Sequence, residues 1–369
     1  MSKNHRENIY TILLLVTLFI TSCTPSHEKI GVIFEANLNE AQDIYRIANL
    51  ESQAMERLTF TPDDFESFLL VSDDGKYASF LIHGPDRASA WGTYKLDLES
   101  LDTTHLNNRE SGLPPTYPLG WATDKYQILV PDYWGEALYK INLESESVEK
   151  VELPSQRQIR PTHCRYSYDN KLIACDLFDK WTTPIISSYI YVPETKMEIP
   201  LGDSNEYCFQ PEWSPAEDKI LLRCTSTEWD IYKIYLYEVV EDDPVYVQEI
   251  IMDVSYARPL LSLPVDTYAW SPNGRHFIAT NYTINEVVYP FLLFNADGTL
   301  NQHLSPRNIS EDMIVTDVAW SPDGQNILYI AGQDEESLNI YIMNADGSGN
   351  YALTTEPSNY SNLWVYSKP

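Results

Sequence analysis

The chain has 369 residues, 43% of them hydrophobic, and a formal net charge of −29 at pH 7. That apolar content can bury a core and argues against wholesale disorder, while the acidity repels phosphate backbones and excludes DNA or RNA as a partner. With 26 Tyr, 9 Trp and 11 Phe, the composition favours β structure.

The first signal along the chain is at its N-terminus. Lys3 and Arg6 form a short basic region, followed by a mostly apolar run from Ile9 to Ile20. As a helix that run would rise only about 18 Å, too short to span a bilayer, so the layout is that of a secretory signal. Ile20-Thr-Ser-Cys23 resembles the bacterial lipobox, in which an apolar residue and two small ones precede a cysteine. The resemblance implies cleavage after Ser22, diacylglycerol on the Cys23 sulfur and acylation of the new amino terminus, so that several acyl chains hold the protein to a membrane. The expected division is residues 1–22 as signal peptide, 23–29 as lipidated tether and 30–369 as one folded domain.

A repeat follows. Residues 30–60 carry only the later part of a unit, and 70–101, 120–153, 165–199, 212–240, 269–305 and 319–354 continue the series. Equivalent positions (Val71, Trp121, Tyr166, Trp213, Trp270, Trp320, Trp364) recur about every 49 residues, a spacing that points to propeller blades. In the clearest copy, strand A ends at Trp320 and Ser321-Pro-Asp-Gly324 supplies turn chemistry. Asn326–Ala331 makes strand B, Asn339–Asn344 strand C, and Asn344-Ala-Asp-Gly347 the turn into strand D. The first unit lacks strand A, and the tail at Leu363–Tyr366 has a strand A with nothing after it. The predicted fold is therefore all-β: a seven-bladed propeller of four-stranded antiparallel blades, closed when the C-terminal strand completes blade one.

The Trp-Ser-Pro-Asp-Gly turn, the Ile-Tyr-Ile-Met-Asn strand and the Asn-Ala-Asp-Gly-Ser-Gly turn resemble the TolB-type, WD-like propeller repeat, which also builds the propeller domains of prolyl oligopeptidase-like peptidases. The match spans roughly residues 30–369 and weakens in the first four units, where Val71, Trp121 and Tyr166 are not followed by Pro. It implies a fold, and a fold does not fix function.

A Trp that recurs in every blade packs blade against blade. The other four, Trp91, Trp134, Trp181 and Trp229, fall in the B–C loops of blades two to five, beside Asp132, Asp179 and Asp230. In a meander those loops share a face with the D–A connections. The sequence therefore predicts an aromatic, acidic rim suited to glycans, cations or a partner's apolar side chains; the alternative is that the indoles fold back to cover the blade tops. Cys164 and Cys175 flank one A–B turn and Cys208 and Cys224 the next, the second pair offset by about one step. Either cross-strand disulfides or buried free thiols in adjacent blades are consistent with that spacing.

No Gly-x-Ser-x-Gly, His-Glu-x-x-His, calcium-loop or glycine-rich phosphate motif is present, and the chain ends after the last unit. The sequence thus predicts no catalytic residues, no metal and no cofactor. Its expected role is a non-catalytic, monomeric module binding an envelope protein or glycan, on the outer membrane of a diderm or the surface of a monoderm cell. The alternative is a carbohydrate-active enzyme using acidic residues of the propeller funnel, since paired carboxylates need no local motif.

Overall fold

The computed structural model describes residues 30–368 apart from 39–41, 61–64, 84–90, 108–112, 114–115, 123–125, 133–136, 154–159, 179–185, 204, 227–231, 241–242, 253–267, 285–286, 308, 311–312 and 335. Every regular element among them is a strand. The strands form seven four-stranded antiparallel sheets, six of them built from consecutive strands in chain order. The seventh joins Tyr360–Ser367 to Ile30–Asn37, with Val32 opposite Val365 and Ile33 opposite Trp364. The ring is thereby closed by its two chain ends.

The first strands of successive blades touch one another, which puts strand A innermost and strand D at the rim. Antiparallel order then sends the A–B and C–D turns to one face and the B–C loops and D–A connections to the other. These are called the turn face and the loop face below.

Each of the seven junctions has its own buried cluster. At the closure, Leu328, Ile330 and Ile342 of blade seven meet Val32, Phe34 and Ile47 of blade one. The repeat tryptophans add a hydrogen-bond ladder. Trp213, Trp270 and Trp320 donate their indole N–H to the carbonyls of Arg165, Glu212 and Ala269, each one blade back, at 3.1, 3.2 and 3.2 Å. The serine of the A–B turn recurs as well. In blade seven Ser321 Oγ donates to Asp323 at 2.6 Å and accepts from the Asn326 amide at 2.9 Å, while Gly324 takes a φ of +67°. Blades two, four and six repeat this at Ser72, Ser167 and Ser271.

Tyr366 bolts the closure. Its buried ring lies over Gly31 of blade one and Gly75 in the first turn of blade two. A Cβ at those glycines would fall 2.3 and 2.0 Å from ring atoms. Gly75 also has a φ of +64°, so glycine is required there for both space and conformation.

Five of the seven innermost strands carry one extra residue, between Ser67 and Leu70, Pro161 and His163, Phe209 and Glu212, Val315 and Asp317, and Ser361 and Trp364. Such bulges bend a strand and leave an amide outside the ladder. At four of these five bulges a side chain of the preceding blade takes up such an amide. Glu35 accepts from Leu69 N at 3.0 Å, Asp176 from Gln210 N at 2.7 Å, Asn281 from Val315 N at 2.9 Å and Asp317 from Leu363 N at 2.8 Å.

Candidate functional site

The loop face of blades one to three gathers side chains that a solvated surface does not ordinarily collect. Phe60, just past the outer strand of blade one, is 70% exposed. Phe65 and Phe68, on the innermost strand of blade two, are 43% and 45% exposed. Phe68 sits in the bulge with a φ of +57°, a backbone state that costs a bulky residue strain. Its ring stacks on Tyr117 with centroids 4.9 Å apart, and Tyr117 Oη donates to the Pro161 carbonyl of blade four at 3.3 Å. Phe65 lies 5.8 Å from the His83 ring, and the Arg57 guanidinium covers Phe60 at 4.8 Å.

Beneath these rings three carboxylates, Glu35, Asp43 and Glu66, are shut off from solvent. Asp43 is ion-paired to Arg57 at 2.6 Å. That partner raises the arginine's affinity for its proton: the hydrogen bond to Asp43 dominates, opposed by desolvation. Glu35 accepts from Leu69 N, from Gln42 Nε2 at 2.7 Å and from Ser361 Oγ at 3.3 Å, linking blade one, its closing strand and blade two. Burial nevertheless dominates and pushes its carboxyl up to about 7, against the lowering effect of hydrogen bonds from Asn362, Leu69, Gln42 and Ser361. Asp176, at the junction of blades four and five, is likewise pushed up by burial to about 7. The acids lie buried and the phenylalanines form an exposed apolar patch on the same face.

The sequence-derived rim falls only partly within this description. Trp91 lies directly before strand C of blade two and Asp132 directly after strand B of blade three. Both are on the loop face and both are half-buried. Trp134, Trp181, Trp229, Asp179 and Asp230 lie outside the described residues, as does Cys23 with the whole lipobox. The three exposed phenylalanines carry no repeat signature and were missed. Phe68 was visible only as an aromatic residue out of phase with strand alternation.

Cys164 is bonded to Cys175 and Cys208 to Cys224, with Cα atoms 4.2 and 4.1 Å apart. The offset of the second pair is removed by the bulge between Phe209 and Glu212, which brings Cys208 directly opposite Cys224. Glu206 lies close enough to both sulfurs to suggest a metal triad. Its carboxylate is already held by Lys233 at 3.0 Å and Tyr235 Oη at 2.8 Å, and the sulfurs by each other, so the group is structural.

No protein-family model matches the chain, and no curated protein matches it in sequence. Solved structures do share its fold. An oligogalacturonate lyase from Vibrio parahaemolyticus superimposes with a TM-score of 0.55 at 15% identity, over 84% of this chain and 85% of that one. TolB from Acinetobacter baumannii gives 0.50 at 13%, over 90% and 65%. Dipeptidyl peptidase 4 of Porphyromonas gingivalis gives 0.53 at 12%, covering 88% of this chain, which spans about half the length of the peptidase. Enzymes among propellers of this shape overturn the expectation that the protein is not an enzyme. That expectation rested on missing local motifs, and a blade ring can bring groups together from different strands without one. The chain is a seven-bladed propeller that shares its fold with TolB and with propeller enzymes.

Proposed function

We propose that the protein is exported, anchored through Cys23, and binds an envelope protein or glycan on its loop face. The observation that carries this reading is the trio Phe60, Phe65 and Phe68, solvent-exposed on the same face as the buried acids. Exposed aromatic clusters on a rigid base supply large contact area at low conformational cost, as binding hot spots do. Phe68 in particular is held outward by a left-handed backbone and a stacked tyrosine, an arrangement that packing of the blade does not need. Propellers present ligands with a pre-formed mouth of this kind. The half-buried Trp91 and Asp132 extend the same face.

Glycan and peptide arrays probed with residues 24–369 and with the F60S/F65S/F68S variant test the reading. Binding by the parent that the variant loses supports it, and equal binding by both ends it. Each bound glycan or peptide is then incubated with the protein and its products weighed by mass spectrometry, which reads whether turnover follows binding. For the anchor, incorporation of labelled palmitate that disappears in C23S is the expected result; label retained by C23S contradicts it.

A further inference from the structure

The opposite face carries a separate feature. A pocket of about 210 Å³ lies where the innermost strands of blades three, four and five run into their turns. Its walls are Trp121, Tyr166, Tyr168 and Trp213, and Arg165, Ser214 and Pro215 complete it. Four aromatic rings around a space that holds one six-membered ring favour a flat or ring-shaped guest.

The charged group of this pocket is a donor with little to satisfy it. Arg165 makes one side-chain hydrogen bond, from Nε to His163 Nε2 at 3.1 Å, and no ion pair among the described residues. Accepting that bond requires a neutral imidazole, and burial followed by the Arg165 charge pushes His163 down to about 3. The histidine therefore leaves the guanidinium charge uncompensated. Among the described residues of the adjoining turns, Asp169 is held by Lys171 at 2.6 Å and Glu217 by Lys219 at 2.6 Å. In a chain with 54 acidic and 25 basic residues, an arginine without a carboxylate partner stands out.

We propose that this pocket is a binding site for a carboxylate borne on a six-membered ring, the carboxylate on Arg165 and the ring between the aromatic walls. Uronic acids and aromatic acids share that chemistry. The site lies on the turn face, apart from the phenylalanine mouth, and stands independently of the loop-face reading.

Ligand-observed NMR titration of the folded domain tests it with glucuronate, benzoate and their uncharged counterparts glucose and benzamide. One or both acids are expected to bind saturably and at least about tenfold more tightly than the matching neutral compound, as a charge-assisted contact requires. Which acid binds identifies the source. R165M is expected to lose that binding by about tenfold or more. No saturable binding of either acid, equal binding of acid and neutral compound, or undiminished binding by a folded R165M overturns the proposal. Should R165M not fold, the acid-against-neutral comparison still decides it.

Discussion

Glu35 offers a sharp physical test because its burial and its hydrogen bonds pull in opposite directions. In the unfolded chain its carboxyl titrates near the ordinary value of 4.5, and in the folded ring at about 7. The folded state therefore binds the proton more tightly. The stabilisation from protonated Glu35 is complete below pH 4.5 and is lost as pH rises through 7. At about 1.4 kcal/mol per pH unit, that rise corresponds to about 3 kcal/mol between the two limits. Glu35→Gln removes the titration while an amide oxygen still faces the Leu69 N–H and Ser361 Oγ can accept from the new amide. Urea unfolding followed by tryptophan fluorescence should be run on both proteins at pH 4.5, 6, 7 and 8. The stability of E35Q relative to the parent is expected to increase by about 3 kcal/mol across that range. Asp176, which shares the sign, is present in both proteins and cancels in the difference. Parallel stability curves would refute the reasoning, because they would mean that the carboxyl titrates inside the fold as it does in the unfolded chain.

Other outcomes follow from packing. Tyr366→Ala empties the seat between Gly31 and Gly75 and is expected to cost about 3–5 kcal/mol in urea melts, the range for large aromatic deletions. Gly75→Ala, which meets the same ring and a positive φ, should also lower the midpoint, and an unchanged midpoint would remove Tyr366 from the closure. The disulfides close spans of 11 and 16 residues. Replacing either pair with alanine is expected to cost about 3 kcal/mol on the chain-entropy argument. Peptide mapping without reductant should recover 164–175 and 208–224, and alkylation of these four thiols after denaturation alone would contradict the pairing. F60S/F65S/F68S is expected to cost no more than about 3 kcal/mol in urea melts, the loss of the Phe68–Tyr117 stack and the Arg57–Phe60 contact; a larger loss would show the phenylalanines to be structural.

Seven blades were legible because the units share one plan, clearest in the last three, where a Trp closes strand A before a Ser-Pro turn, and worn in the first four, where Val71 and Tyr166 take the Trp site. The closure was legible because one unit lacks the strand that the tail carries in excess. What the sequence hid arises between blades. A bulge adds one residue to a strand without altering its composition, so nothing in Ser67-Phe-Leu-Leu70 declared that Phe68 would turn outward. Glu35 and Asp176 each interrupt an apolar strand B, and a charge inside such a run is the signature of a buried acceptor. Its partner amide lies 34 residues away in both cases and becomes its neighbour only through the ring. Missing local motifs say little about catalysis for a related reason, since motifs report on turns and helices and a propeller mouth is assembled across sheets.

Hydrogen exchange of the domain with and without an array-selected ligand tests most directly whether the loop face is the binding face. Slowed exchange confined to residues 58–68 and 113–119, with the turns at 72–75, 295–299 and 344–349 unchanged, is the expected result. Protection of those turns with the phenylalanine mouth unaltered would contradict the account.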